Sequence, residues 1–114
     1  MARILIRAGK VEMAATLNDT PTARAILDAL PFESKARLWG KEVYFEIPVH
    51  MAPDHAQAKV PSGTVAFWPD GDCLCLFYGQ TPASPVNVVG TLEGDPNELA
   101  KVKSGEAIHI EKAD

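Results

Sequence analysis

Cysteine is scarce, and the 114 residues hold only Cys73 and Cys75. The two stand two apart in a strand-like run, which puts both side chains on one face and their α-carbons near the upper limit of about 6.8 Å for a disulfide. This spacing favours two buried thiols over a bridge. No second Cys pair and no histidine at zinc-finger spacing completes a metal centre. Long apolar runs are missing too. In MARILIRAGKVEM, Arg3, Arg7 and Lys10 interrupt every apolar stretch, which argues against a signal peptide or a membrane span. Positive charge is never clustered: 11 Lys and Arg are scattered among 15 Asp and Glu, for a net charge of −4. Binding to a phosphate backbone draws its affinity from clustered basic side chains, so nucleic acid is not an expected partner. The expectation is a cytoplasmic protein with no nucleic-acid or membrane partner and no metal or other cofactor. Internal repeats and low-complexity segments are absent.

What is present is the balance of an ordinary globular chain, 46% hydrophobic and 23% charged. A chain of this length forms a single domain, 1–114, and buries roughly 60–70% of its unfolded surface in one core.

Residues 3–8 alternate Arg3, Leu5 and Arg7 against Ile4, Ile6 and Ala8. Residues 11–17 continue an extended pattern after Gly9, predicting a β-hairpin. In NDTPTARAILDALP, Thr20 is placed to cap a helix that begins at Pro21, whose missing N–H costs nothing at that position. Ala23, Ile26, Leu27 and Leu30 give this short helix one apolar face, and Pro31 stops it. A strand is predicted over Glu33–Leu38, then a turn at Trp39-Gly40. In EVYFEIPV, Val43, Phe45, Ile47 and Val49 face one way, and Glu42, Tyr44, Glu46 and Pro48 the other. The segment from His50 to Pro61 has no usable period and is expected to be a functional loop. TVAFW and CLCLFY, joined by PDGD, make a hairpin with Asp70-Gly71 as its turn signal. In VNVVGTL, Gly90 marks a bulge or a close backbone approach. Asp95, Pro96 and Glu98 open a helical turn through Val102, and AIHIEK is the last strand. Seven or eight short strands with only one real helix predict a closed antiparallel barrel or a sandwich, and closure removes exposed edges.

Four segments in this order, NDTPTARAILDALP, WGKEVYFEIP, GTVAFWPDGDCLCLFYGQTP and VNVVGTLEGD, resemble the small cyclophilin-like proteins of bacteria and archaea over nearly the whole chain. The resemblance implies a mainly β fold: a closed antiparallel cyclophilin-like β-barrel with one short N-terminal helix and a helical turn near the C-terminus. Cyclophilins are peptidyl-prolyl cis–trans isomerases that rely on an Arg with nearby Phe, Met and Gln in an F-H-R-V-I-x-x-F-M-x-Q-G-G type motif. This chain lacks that motif. Residues 41–50 carry no Arg, and Glu46 brings the opposite charge. Crossing an isomerisation barrier of about 20 kcal/mol depends heavily on a donor that stabilises the twisted amide.

The candidate ligand-binding residues are Tyr44, Glu46, His50, Trp68, Tyr78 and Gln80; no catalytic residue is assigned. Tyr44 and Glu46 share a strand face, where a phenol and a carboxylate form either a ligand wall or a solvated polar pair. His50 and His55 flank Asp54 in the long loop, where they line a pocket mouth, hold a metal or are simply solvated. One of Phe67 and Trp68 fills the barrel, leaving the other to roof a pocket. After Tyr78, Gly79 allows close backbone approach and Gln80 offers both a donor and an acceptor. The leading expectation is a barrel that takes a peptide or small molecule in a surface groove with little or no catalysis. The alternatives are a peptidyl-prolyl isomerase with a non-standard residue set and a structural subunit of a homo-oligomer.

Overall fold

The alternation of apolar and polar residues becomes nine hydrogen-bonded strands in one sheet, in a computed structural model that describes residues 2–113. Residues 1 and 114, the two ends of the expected single domain, lie outside the described residues. Strands β1 (Ala2–Ala8) and β2 (Val11–Leu17) form the first hairpin. Ile4, Ile6, Ala8, Val11, Met13, Ala15 and Leu17 all point into the core. Helix α1 (Pro21–Ala29) starts where the sequence places it: the Thr20 Oγ1 accepts a hydrogen bond from the Ala23 N–H at 3.2 Å. Its Ala23 and Ile26 join the barrel interior, while Leu27 and Leu30 are only half-buried. Side chains that reach the interior from outside the sheet enter through an open end, so the helix caps that end.

The expected strand over Glu33–Leu38 is instead two, β3 (Phe32–Lys35) and β4 (Arg37–Leu38), divided at the buried Ala36. The reason is closure. The Ala36 N–H donates to the Glu106 carbonyl and its own carbonyl accepts from the Gly105 N–H, both at 2.8 Å, which continues the pairing of β3 with β9 (Ala107–Lys112). Beyond Ala36 the chain turns to pair with β5 (Glu42–Glu46). The sheet order β3-β9-β1-β2-β8-β6-β7-β5-β4 therefore begins and ends on one continuous segment, and the antiparallel barrel is nearly closed. β5 ends earlier than its alternation suggests: the β5–β7 pairing continues for one more hydrogen bond, from the Ile47 N–H to the Asp72 carbonyl at 2.9 Å, and Pro48 has no N–H with which to extend it. Ile47 and Val49 nonetheless stay buried.

Strands β6 (Thr64–Trp68) and β7 (Cys73–Phe77) form the expected hairpin, but the residue with positive φ in its turn is Asp72, at 52°, rather than Gly71. Gly71 answers a packing demand: the six-membered ring of Trp68 lies against it where a Cβ would stand. β8 (Asn87–Leu92) pairs with β6 through a register shift, Val65 opposite Gly90 but Ala66 opposite Val88. Gly90 also passes close to β2, where a Cβ would run into the Thr16 carbonyl oxygen, so the bulge and the close approach coincide. The C-terminal helical turn is a 3-10 helix, Pro96–Lys101, capped by Asp95; Glu98 pairs with Lys101 instead of completing a capping box.

Two clusters of buried side chains result. One fills the barrel. The other lies on the outer face of β5, β6 and β7 and contains Ala66, Cys73, Cys75, Phe77 and Val86, with Tyr44, Val60 and Trp68 packed on it. Every residue of β7 is consequently buried, as its continuous apolar run CLCLF requires. The outer cluster is covered by two loops, 48–63 and 78–86, joined by a bridge between Gln57 and Val86. The buried Asn87 fixes the first loop. Its amide donates to the Thr22 hydroxyl of α1 and to the Ala52 carbonyl, and accepts from the Asp54 N–H at 2.9 Å.

Candidate functional site

On that outer face the sheet leaves a cleft of about 210 Å3. Antiparallel pairing sets its floor: Glu42 lies opposite Phe77, Tyr44 opposite Cys75, and Trp68 opposite Cys73. Side chains of directly opposed residues project from the same face. Trp39, just past β4, stands at the rim and is 45% exposed. Pro82, Ala83, Ser84 and Val86 of the second loop form the opposite wall. The Trp68 indole N–H donates to the Ser84 hydroxyl at 2.6 Å, and Gly71 supports the ring from behind. The loop wall and the aromatic wall therefore hold each other in place.

The one carboxyl group in this apolar cleft is that of Glu42, whose residue is only 6% exposed. Burial pushes its pKa above the usual carboxylate value, opposed by a hydrogen bond from the Cys75 thiol. Burial likewise raises the pKa of Cys75 far above that of a free thiol, reinforced by the Glu42 charge and that hydrogen bond. Burial raises Cys73 as well, against the pull of Arg37. Both cysteines are free and buried, as expected from their spacing. Thiols of this kind are protonated and unreactive, so they serve as wall and hydrogen-bond donor rather than as nucleophiles.

Of the six residues singled out in the sequence, the structure brings Tyr44 and Trp68 together in the cleft. Phe67 is the member of its pair that fills the barrel. Glu46 is exposed one residue pair beyond the cleft, opposite Cys73. Tyr78 packs half-buried against the interior cluster instead. Gln80 lays its amide over Gly40, outside the lining of the cleft. His50 is exposed and bound to Asp72, Nδ1 to Oδ1 at 2.9 Å. His55 pairs with Asp54 at 2.8 Å, so the two loop histidines serve different carboxylates. Among the described residues no three His, Cys, Asp or Glu side chains gather as metal ligands. Sequence reasoning missed Trp39, Glu42 and Phe77. Glu42 sat on the same predicted strand face as Tyr44, a signal that pointed to it; its pairing with Phe77 had none.

A second depression of about 450 Å3 lies under the 48–63 loop, with Asp54, His55, Lys59, Thr64 and Thr91 in its lining. It has no aromatic wall and no buried titratable group. The aromatic cleft combines a mainly apolar lining with a few polar groups, the Glu42 carboxyl and the hydroxyls of Tyr44 and Ser84, the usual make-up of a small-ligand site.

A mainly antiparallel, nearly closed barrel with a covered cleft on its outer wall is the class of protein defined so far. The family model described as cyclophilin-like matches residues 2–111, and the chain belongs to the cyclophilin-like family. A hypothetical protein from Archaeoglobus fulgidus, known from its solution structure, is 36% identical with a TM-score of 0.84, covering 98% of this chain and 95% of that one. The structure of McbB in complex with tryptophan matches with a TM-score of 0.74 at 19% identity. That match covers 96% of this chain but 44% of McbB, and at that identity it shows the fold alone. No protein of curated function matches the sequence. Among the described residues no helix is long and apolar enough to cross a membrane.

Proposed function

We propose that this barrel binds a small molecule, or one side chain of a peptide, in the outer cleft, with little or no catalysis. The observation that carries this reading is the union of four aromatic side chains, Trp39, Tyr44, Trp68 and Phe77, with a single buried carboxyl in one preformed space. An aromatic wall supplies contact area, and a single polar group fixes orientation. The volume suits one ring with a short polar arm.

The test is a fragment screen by thermal shift, followed by amide chemical-shift mapping of the hits. Shifts concentrated on β5, β7 and residues 82–86 support the reading, and their loss in Tyr44→Ala strengthens it. Hits that map only elsewhere, or none at millimolar concentration, overturn it.

A second reading, isomerisation of peptidyl-prolyl bonds with a non-standard residue set, draws on Arg37. It pairs with Tyr44 across β4 and β5, on the same outer face. A guanidinium there is a donor of the kind a twisted amide requires. A proline-isomerisation assay with the protein in excess decides: acceleration that falls in Arg37→Ala supports this reading, and a background rate rejects it.

A further inference from the structure

The reading of the outer cleft as a ligand site leaves the ligand's charge open, and Glu42 bears on it. The residue is 94% buried, being 6% exposed, and lines the cleft. A carboxylate offers about four lone-pair positions, yet the donor that reaches this one from within the protein is the Cys75 thiol, a weak donor. Among the described residues no Lys, Arg or His comes within ion-pair distance of it; the ion pairs between described residues involve Glu12, Glu33, Asp54, Asp72, Glu93, Glu98 and Glu111. Buried carboxylates ordinarily have a charged or strongly donating partner, because desolvation without one is costly. Here that partner is missing, and the place beside the carboxyl opens into the cleft.

The rest of the lining points the same way. Trp39, Tyr44, Trp68 and Phe77 present π-systems, whose faces attract cations and repel anions. The Trp68 indole N–H, a donor that could greet an anion, is already committed to Ser84. Resting on the cleft being a ligand site, we infer that its ligand is an organic ammonium ion, seated among the aromatic rings with an N–H directed at the Glu42 carboxylate. The ammonium supplies the counter-charge that the fold withholds, and the attached apolar group fills the space between the rings and the 82–86 wall.

Three probes of one shape and different charge test the inference: 2-phenylethylamine, 2-phenylethanol and 3-phenylpropanoate, titrated at neutral pH and followed by amide shifts of β5, β7 and residues 82–86. The expected order is amine, alcohol, carboxylate, with the amine at least about tenfold tighter than the alcohol, as cation–π and charge-assisted contacts together imply. In Glu42→Gln, which keeps the shape of the side chain, the amine should lose at least about tenfold in affinity and no longer bind more tightly than the alcohol. If the alcohol or the carboxylate binds the wild-type cleft as tightly as the amine, the ammonium inference is overturned and the ligand site stands. Amine binding that persists undiminished in Glu42→Gln also overturns it. If none of the three binds at millimolar concentration, the ammonium inference falls, and the fragment screen decides separately whether the site falls with it.

Discussion

Two walls of this barrel share one interior but face the outside differently. On the wall formed by β1, β2 and β9, the outward positions carry charge: Arg3 pairs with Glu93 at 2.8 Å, and Arg7 pairs with Glu12 at 2.9 Å and with Glu111 at 3.0 Å. On the wall formed by β5, β6 and β7, most outward positions are apolar or aromatic and lie under loops, Tyr44, Ala66, Trp68, Cys73, Cys75 and Phe77, with Glu42 buried among them and Glu46 exposed at the edge. The inward residues of both walls are Ile, Leu, Val, Ala, Met and Phe. Building the barrel therefore constrains one face of each strand and leaves the other free for a solvated surface or a binding cleft. A chain of this size thus builds its outer cleft on a second, smaller core outside the first.

Four measurements put the contrast between the two walls to the test. The largest effect concerns Phe77, fully buried although it lies outside the barrel. Phe77→Ala should destabilise the fold by about 3–5 kcal/mol in urea denaturation, as much as Phe67→Ala inside it; a much smaller loss would show that the outer cluster is only a loose cover. Next is Gly90→Ala, where β8 meets β2 and the two walls join. With the Thr16 carbonyl in the way, about 1–3 kcal/mol should be lost by the same measurement. An unchanged midpoint would mean that the backbones part easily.

The third outcome sets Glu42 against Glu93, which shift in opposite directions. Glu42 has a raised pKa in the folded state, so it holds its proton longer there than in the unfolded chain, and stability attributable to it falls as pH rises from 4.5 through the raised value. Glu93 is lowered to about 2, first by hydrogen bonds from Arg3 and Thr16, so its contribution is present above 4.5 and is lost as pH falls toward 2. Glu42→Gln should therefore flatten the pH–stability profile above 4.5 and raise the neutral-pH midpoint, while Glu93→Gln should flatten the profile below it. Identical profiles for the two variants would contradict the assignment. The smallest effect is Arg7→Ala, whose exposed ion pairs should be worth about 0–1 kcal/mol. A larger loss by denaturation would make the charged wall more than a solvated surface.

Much of the barrel was legible because it is written locally. The two hairpins follow from alternation, the helix start from Thr20 and Pro21, and the bulge from Gly90. The closure at Ala36 was not legible, since an alanine carries no signal that the chain changes partners there; only the positions of β9 and β5 make it do so. The site was half legible. Counting alternate residues set Tyr44 on the face opposite Val43 and Phe45, but left open whether Phe67 or Trp68 fills the barrel. Trp39 and the 82–86 wall reach the cleft through loop paths that no periodicity encodes, and the pairing of Glu42 with Phe77 spans the 48–63 loop and one intervening strand, β6. His50 lies apart from the cleft, where Asp72 of the β6–β7 turn gives it a surface partner, a placement that only the folded chain reveals.

The position of β9 also bears on how the chain is made. It lies between β1 and β3, two of the earliest strands, yet its residues, Ala107–Lys112, come after all the others. A nascent chain emerging from the ribosome thus keeps both of those edges unpaired until β9 arrives, a state in which exposed edges invite other chains. Arg3 and Arg7 on β1, and Glu33 and Lys35 on β3, put charges along those waiting edges, a placement that discourages strand-to-strand association during the interval.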